Sequence, residues 1–274
     1  MTDGELPRIL RFLELEPLLN VYLISRLRDE GLRSGIEVVE VLLGERTICV
    51  AILASNVVMA ADPSLDSGSR REAISLVAER IITQRIPVRA SISEAGLVEI
   101  LWSRLSRVLD PPTVVRLSQP VYALTHSSGG WRALSQMRFA AVKDLDALVP
   151  CCAAMHKEEV GIDPLERDAV GYRERIRELV TARRSLIATE GATIVFKCEI
   201  SAMTPDAAQL MGVWTHPRYR QRGHARRGLE EVCGYLLGEG HSVTLFVNDF
   251  NHPAIHLYES LGFYRIGTNR ALIW

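Results

Sequence analysis

The sequence is poor in the residues that build disulfide frameworks and membrane segments. Its 274 residues include five cysteines, none of them in a C-x-x-C pair. An odd number without framework spacing predicts reduced thiols and a cytoplasmic protein. No uninterrupted apolar run reaches the roughly 18 residues of a membrane-spanning helix, and the N-terminus lacks the charged-then-apolar order of a secretion signal. We therefore expect no membrane partner.

The sequence also has no large excess of positive or negative charge, and it contains no metal-ligand motif. The 32 Lys and Arg residues nearly balance the 33 Asp and Glu residues, which gives a net charge of −1. Such a balance provides no general attraction to polyanions, so we expect no nucleic-acid partner. His252 and His256 are spaced i, i+4 but lack the glutamate of H-E-x-x-H, so we predict no metal.

The strongest local pattern runs from Gln209 to Arg227. An apolar run predicts a buried strand, Pro217 ends it, and a basic loop leads to Gly223. A helix is predicted next, because apolar residues recur on one helical face. Those residues are Ala225, Leu229, Val232, Cys233, Leu236 and Leu237.

A strand, a small-residue loop and a helix together suit a phosphate group. The first helical turn offers unpaired N–H groups and the positive end of the helix dipole, and a glycine lets the phosphate approach the backbone. Neither G-x-G-x-x-G nor the P-loop sequence is present. The residues from Arg220 to Ala225 instead fit the pattern Arg/Gln-x-x-Gly-x-Gly/Ala, which a merely basic, solvated helix start would also satisfy.

A second motif follows after one predicted helix and one predicted strand. Asn251, Ala254, Tyr258 and Gly262-Phe263 have the spacing N-x-x-A-x-x-x-Y-x-x-x-G-F. Together the two motifs resemble those of the GNAT superfamily of acyl-coenzyme A dependent N-acetyltransferases, over about residues 138–274. The resemblance implies an α/β fold with a twisted, mostly antiparallel mixed sheet flanked by helices. It also implies acetyl-CoA as cosubstrate.

The resemblance further implies which residues bind coenzyme A. The pantetheine arm would pair with the strand edge at Val213, Trp214 and Thr215. Asn251 would bond a pantetheine amide, although it could equally be a plain helix cap. The pyrophosphate would lie on the loop and helix start formed by Arg220, Gln221, Arg222, Gly223, His224, Ala225 and Arg226. The side chains of Arg222, Arg226 and Arg227 would add charge-assisted hydrogen bonds.

The resemblance implies that Tyr258 is the general acid for the leaving thiolate. Its ordinary pKa of about 10 is close to that of an alkyl thiol, although the residue could instead be part of the core. Glu199 is our first candidate for the base. It shares a face of the predicted strand 193–200 with Lys197, opposite Ile194 and Phe196, so a structural ion pair is the alternative. Glu159, on a predicted loop, is the rival.

The two halves of the chain repeat one predicted order of helices and strands. The segment 126–130 is small and polar, which predicts domains at residues 1–126 and 131–274. The N-terminal domain lacks the glycine-containing basic loop and has acidic residues in the segment 62–69, and its last helix, predicted to be capped by Ser93 and to run to Val108, has no tyrosine. We interpret this half as a degenerate, non-catalytic GNAT-like domain. The segments 114–117 and 121–124 are predicted as two short strands.

These features predict an N-acetyltransferase that transfers an acetyl group from acetyl-CoA to a primary amine by direct attack. The acceptor would be a small molecule or a peptide, and the oligomeric state is left open between monomer and homodimer. The alternative is a non-catalytic acyl-CoA sensor. An aminoacyl transferase using charged tRNA is a third hypothesis, which the coenzyme A loop argues against.

Overall fold

A computed structural model describes residues 5–29, 36–126 and 134–274. This part of the chain contains eight α-helices and eleven β-strands. The helices are α1 (Glu5–Leu13), α2 (Val21–Asp29), α3 (Ser67–Gln84), α4 (Ala95–Leu105), α5 (Leu145–Val160), α6 (Pro164–Thr181), α7 (His224–Gly238) and α8 (His252–Ser260). The strands are β1 (Glu37–Leu43), β2 (Arg46–Leu53), β3 (Asn56–Ala61), β4 (Ala90–Glu94), β5 (Val114–Leu124), β6 (Met137–Phe139), β7 (Ser185–Glu190), β8 (Thr193–Met203), β9 (Ala207–Thr215), β10 (Ser242–Phe246) and β11 (Tyr264–Ile273).

The chain divides into two compact units. The first unit contains Met1–Tyr122, Phe246–Ile255 and Arg265–Trp274, and the second contains Ala123–Leu245 and His256–Tyr264. This grouping differs from the continuous stretches 1–126 and 131–274, because two C-terminal segments group with the N-terminal half. Of the predicted boundary segment, residues 127–130 lie outside the described residues.

The sheet of the first unit has the strand order β1-β2-β3-β4-β11-β5. Of its defined pairs only β3 with β4 is parallel, whereas β1 with β2, β2 with β3 and β4 with β11 are antiparallel. Successive side chains of β2 lie on opposite faces of the sheet and pack in two different hydrophobic cores, as the two-residue repeat of a strand requires. Cys49 and Ala51 pack with α3 and α4, while Val50 and Ile52 pack with α1 and α2.

The sheet of the second unit has the strand order β10-β9-β8-β7-β6, in which only β9 and β10 are parallel. The predicted mixed α/β fold with mostly antiparallel sheets is therefore confirmed. Helices α5 and α6 form a core with Ile187 and Ile194. On α7, Gly228 has no room for a side chain because the Phe196 ring lies against it.

The predicted faces of β8 need a correction at its start. A register shift lies between Ala188↔Phe196 and Thr189↔Ile194, which leaves Val195 as an extra residue. A bulge of this kind reverses the alternation of side chains. Ile194 therefore lies on the side of α5 and α6, opposite Phe196 rather than beside it.

Three further details of the predicted secondary structure were wrong. Ser93 does not cap α4, because it lies in β4, where its hydroxyl accepts a hydrogen bond from Met59 N at 2.8 Å. Glu94 caps the helix instead, accepting from Gly96 N at 3.1 Å, and the helix ends at Leu105 rather than at Val108. The two predicted short strands are one strand, β5. It passes through Pro120, whose carbonyl still accepts a hydrogen bond from Val247 N at 3.1 Å.

Candidate active site

Strand β9 carries a bulge near its C-terminal end. Its register on β8 passes from Lys197↔Trp214 to Glu199↔Met211, so Gly212 and Val213 together stand opposite one residue. Gly212 has a φ of 60°, which is the left-handed region that glycine tolerates best. An isolated glycine in an apolar strand is the sequence signal for such a bulge.

The outer edge of β9 beyond the bulge has no strand partner in the described part of the chain. Strand β10 pairs with β9 only from Ala207 to Gln209, although β9 continues to Thr215. The other outward-facing backbone groups of the last residues of β9 therefore remain available to an extended ligand that contains amides, whereas the Thr215 carbonyl oxygen already accepts a hydrogen bond from Arg220. Val213, Trp214 and Thr215 lie on this edge, and their pairing with pantetheine stays a prediction.

A buried ion pair holds the bulge in place. Lys197 Nζ donates to Glu199 Oε1 at 2.6 Å and to the Gly212 carbonyl oxygen at 3.0 Å. Lys197 is 0% exposed and Glu199 is 3% exposed. A Cβ atom at residue 212 would collide with Glu199 Oε2, so the ion pair leaves room only for glycine at this position.

The surroundings keep the Lys197 ammonium charged and the adjacent thiol protonated. Burial alone lowers the pKa of Lys197, but the charge and hydrogen bond of Glu199 outweigh it, so the pKa is raised and the ammonium persists. Cys152 Sγ lies 3.5 Å from Glu199 Oε1. Burial raises the pKa of this thiol to about 12, which leaves it protonated at neutral pH and excludes it as a thiolate nucleophile there.

Aromatic rings in edge-to-face contact organise the loop that follows β9. Ring centroids are 5.7 Å apart for Trp214 and His216, 5.5 Å for His216 and Tyr219, and 5.7 Å for Tyr219 and His224, all edge to face. The guanidinium of Arg222 lies 5.7 Å from the centre of the Tyr219 ring. The loop is thus fixed between the end of β9 and the start of α7.

The start of α7 is not capped by a side chain. Its N-cap residue is Gly223, with φ 79°, so the first N–H groups of the helix have no acceptor from the cap. A Cβ atom at residue 223 would lie 2.8 Å from Arg227 Nη1, which places this guanidinium directly over the helix start. Backbone N–H groups, the helix dipole and a guanidinium together favour an anion.

Tyr258, on α8, is 5% exposed and packs against Phe263, with 5.8 Å between ring centroids. Its hydroxyl has no hydrogen-bond partner among the described residues. Burial raises the pKa of Tyr258, and the negative charge of Glu159 raises it further. The phenol therefore remains protonated well above neutral pH.

The matching family model decides the assignment. The model of the acetyltransferase (GNAT) family matches residues 153–263, which include the β9 bulge, the start of α7 and Tyr258. Residues 153–263 belong to the GNAT family. Acyl transfer is the class of reaction that this membership implies. No curated protein matches the chain.

Solved structures share the fold over nearly the whole chain. A GCN5-related N-acetyltransferase from Sphaerobacter thermophilus has 19% identity and a TM-score of 0.60, covering 99% of this chain and 92% of its own. A GNAT-family acetyltransferase from Colwellia psychrerythraea has 11% identity and a TM-score of 0.56, covering 98% and 97%. A tandem GNAT protein from the clavulanic acid biosynthesis pathway has 15% identity and a TM-score of 0.53, covering 99% and 96%. At these identities the likeness concerns the fold alone.

Arg220 and Arg226, two of the arginines predicted at the phosphate site, are held by residues outside it, whereas Arg227 stays at the helix start and donates from Nη2 to the Arg222 carbonyl oxygen at 3.2 Å. Arg220 donates from Nε to the Thr215 carbonyl oxygen at 3.0 Å and from Nη2 to Glu158 Oε2 at 2.6 Å. Arg226 donates to Ser260 Oγ at 2.5 Å. Their backbones remain at the loop and helix start, but their side chains serve the structure around it.

Glu158 and Glu159 are helical, and the predicted loop 158–164 was wrong in this respect. Helix α5 continues to Val160 and ends at Gly161, whose φ of 81° gives the left-handed C-cap. Glu158 also accepts from Trp214 Nε1 at 3.2 Å, so it joins α5 to the end of β9, a role that the sequence did not reveal.

Asn251 makes the helix-cap contact that we had considered as the alternative. Its Oδ1 accepts from Ala254 N at 3.3 Å. A contact between Asn251 and pantetheine stays a prediction.

Among residues 5–29, 36–126 and 134–274, no group of three or more His, Cys, Asp or Glu side chains could hold a metal ion, and no helix is both long and apolar enough to cross a membrane.

Proposed function

We propose that the chain is an N-acetyltransferase that uses acetyl-CoA and acts on a primary amine of a small molecule or peptide. The observation that supports this most directly is the continuity between the open edge of β9 and the uncapped start of α7. An edge that can pair with amides leads into a helix start that favours a phosphate. Coenzyme A has both groups in that order.

The residues of the second unit fit coenzyme A in distinct ways. Val213, Trp214 and Thr215 would pair through their backbones with the pantetheine amides. The N–H groups at the start of α7, with the guanidinium groups of Arg222 and Arg227, would hold the pyrophosphate. When bound, acetyl-CoA supplies the acetyl thioester.

Tyr258 is the general acid in this proposal. Its hydroxyl holds a proton that it can donate to a departing thiolate sulfur, and its raised pKa keeps that proton in place at neutral and mildly alkaline pH. The burial of the ring orients the hydroxyl through packing against Phe263.

Glu159 is the proposed base. Its carboxylate is exposed on the last turn of α5, and its charge reaches Tyr258 closely enough to raise that residue's pKa. Glu199 was our first candidate, and that assignment stays untested. Its burial and its contact with Lys197 favour the structural role.

The end of α5 suits an amine acceptor. Glu159 brings negative charge to the C-terminal end of a helix, where the helix dipole is also negative, whereas the charge of Glu158 is already paired with Arg220. His156 packs edge to face on Tyr172, with 6.3 Å between ring centroids. Burial lowers the pKa of His156 and raises that of Tyr172 to about 12, so both rings are uncharged at neutral pH.

The N-terminal half is the degenerate partner in a tandem arrangement. Its helix α3 stands where a coenzyme A helix would begin, but Asp66 Oδ1 accepts from Gly68 N at 2.8 Å and from Ser69 N at 3.0 Å. A carboxylate at this position competes with any phosphate. We therefore propose one coenzyme A site per chain. We also propose that the protein is cytoplasmic, with reduced cysteines, and has no nucleic-acid or membrane partner. It would be either a monomer or a homodimer.

The activity test is acetylation of a panel of amines by the full chain with acetyl-CoA. Thiol release and the mass of the product would be measured together. We expect thiol release that requires an amine, with a gain of one acetyl group on that amine. Binding of acetyl-CoA without turnover on any amine would support the acyl-CoA sensor instead.

Gly223→Val is expected to abolish detectable coenzyme A binding and leave the fold intact. The valine side chain would occupy the place of the phosphate, close to Arg227 Nη1. The matched control is Gly240→Val, since Gly240 also has a positive φ, 92°, but nothing within 4 Å of an added Cβ. Calorimetry would show binding for the control and none for Gly223→Val. Equal affinities would contradict this placement of the pyrophosphate.

A further inference from the structure

An open groove of about 600 Å³ lies between helices α3 and α4 of the first unit. Four arginines contribute to its walls: Arg70, Arg71, Arg104 and Arg107. Arg70 and Arg71 are the fourth and fifth residues of α3. Arg104 lies in the last turn of α4, and Arg107 lies two residues beyond its end. We call this feature the arginine groove.

The positive charge of the arginine groove exceeds its negative charge. Arg70 pairs with Glu94 at 2.9 Å, and the lining carboxylate of Glu99 is already paired with Arg270 at 3.3 Å. The other three guanidinium groups form no ion pair with any residue that the structure describes. Arg104 Nε donates to the neutral hydroxyl of Ser75 at 3.0 Å.

The arrangement is unfavourable in the absence of an anion. Arg70 and Arg71 place two positive charges near the positive end of the α3 dipole, where the Asp66 cap supplies one negative charge. Arg70 Nε is also buried without a hydrogen-bond acceptor in the described structure. A buried donor without an acceptor costs free energy, and so do like charges held in one groove. A bound anion would compensate for both.

We propose that the arginine groove binds the phosphate chain of a small polyphosphate anion. Guanidinium groups match phosphate oxygens with two parallel hydrogen bonds, and several of them suit a chain of phosphates better than a single carboxylate. The volume lies in the range of small-ligand sites. No aromatic side chain is among the residues lining the groove, so the phosphates rather than a nucleobase are recognised.

This site is separate from the proposed coenzyme A loop. All its lining residues lie in the first unit, and it depends on arginine side chains rather than on a helix start, because Asp66 already caps α3. The phosphate chain could come from inorganic polyphosphate or from a nucleoside triphosphate. The two sources share the chemistry that the groove recognises.

The test is calorimetry on the full chain with inorganic tripolyphosphate, ATP and adenosine. We expect tripolyphosphate and ATP to bind and adenosine not to bind. Arg71→Gln/Arg107→Gln should weaken tripolyphosphate binding by about 10-fold or more and reduce its dependence on salt. Arg11→Gln, which removes one exposed arginine of the same unit outside the groove, should change neither. Circular dichroism would confirm that each variant is folded.

A second titration in saturating coenzyme A separates this proposal from the proposed function. Tripolyphosphate affinity that is unchanged by coenzyme A and lost in Arg71→Gln/Arg107→Gln would support the arginine groove. Affinity lost on adding coenzyme A but kept in that variant would assign the anion to the α7 loop and overturn the proposal. Tighter binding of ATP than of tripolyphosphate would identify nucleotide phosphates as the favoured source. Binding of adenosine alone, or no binding of tripolyphosphate at all, would also overturn the proposal.

Discussion

The Tyr258→Phe variant is expected to bind coenzyme A normally and to turn over about 100-fold more slowly, the usual effect of removing a positioned general acid. The phenyl ring preserves the contact with Phe263, so packing changes little, whereas the proton on the hydroxyl is lost. Steady-state kinetics with the best amine of the panel would show the loss in kcat rather than in KM for acetyl-CoA.

The pH profile gives an independent check on the same hydroxyl. Burial, supported by the charge of Glu159, raises the pKa of Tyr258 above the ordinary value of about 10. The acid form therefore persists as pH rises, and the wild-type rate should not fall between about pH 8 and pH 10 through loss of this proton. A fall near pH 9 that disappears in Tyr258→Phe would contradict the raised pKa.

Tyr235→Phe is the matched control. Tyr235 lies on α7 of the same unit and packs against Phe139 with 5.9 Å between ring centroids. Removing its hydroxyl should leave turnover within about twofold. If Tyr258→Phe behaves in the same way, its hydroxyl is not the general acid, and another group or water donates the proton.

The sequence predicted the elements of the site better than the contacts between them. The motif spacing placed Gly223 at the helix start and Tyr258 on the last helix, since a helix and a strand each have fixed periodicities. The same reasoning could not place Arg220, because whether a long side chain turns towards a loop or towards Glu158 depends on a residue 62 positions away.

β-Bulges limited how well the sequence predicts the face of a strand on which each side chain lies. Strict alternation put Ile194 and Phe196 on one side of β8, but one extra residue at Val195 reverses the pattern. A bulge in an apolar strand without a glycine leaves no clear signal in the sequence. At Gly212, by contrast, the isolated glycine is a signal for the bulge that the sequence does contain.

The Lys197–Glu199 pair is expected to show the largest effect on stability. Lys197→Met would leave Glu199 as a buried carboxylate without its cation, which costs about 3–5 kcal/mol of unfolding free energy. Because the pKa of Lys197 is raised in the folded state, the pair stabilises the fold below the ordinary lysine pKa of about 10.4. This contribution declines only as the pH rises through the folded-state value, so it is fully present at neutral pH. Urea titration at pH 7 would measure the loss.

The control pair is Arg177 with Glu174, 3.1 Å apart and largely exposed. Because water screens such pairs, Glu174→Gln should change stability by less than about 0.5 kcal/mol. A loss for Lys197→Met as small as this would mean that the buried pair does not hold the bulge.

The Glu199→Gln variant distinguishes a structural role of this carboxylate from a role as the catalytic base. A folded variant with normal coenzyme A affinity and a turnover lower by about 100-fold would make Glu199 the base after all.

The double variant Lys197→Met/Glu199→Met decides whether the pair stabilises the fold alone or also shapes the site. Two apolar side chains of similar volume remove the unpaired charge, so much of the lost stability should return. The Gly212 carbonyl, however, would still lack the 3.0 Å hydrogen bond from Lys197 Nζ that fixes the bulge. We therefore expect stability to recover while coenzyme A affinity stays below that of the wild type. If both recover together, the bulge does not depend on the ion pair, and Gly212 alone sets the open edge of β9.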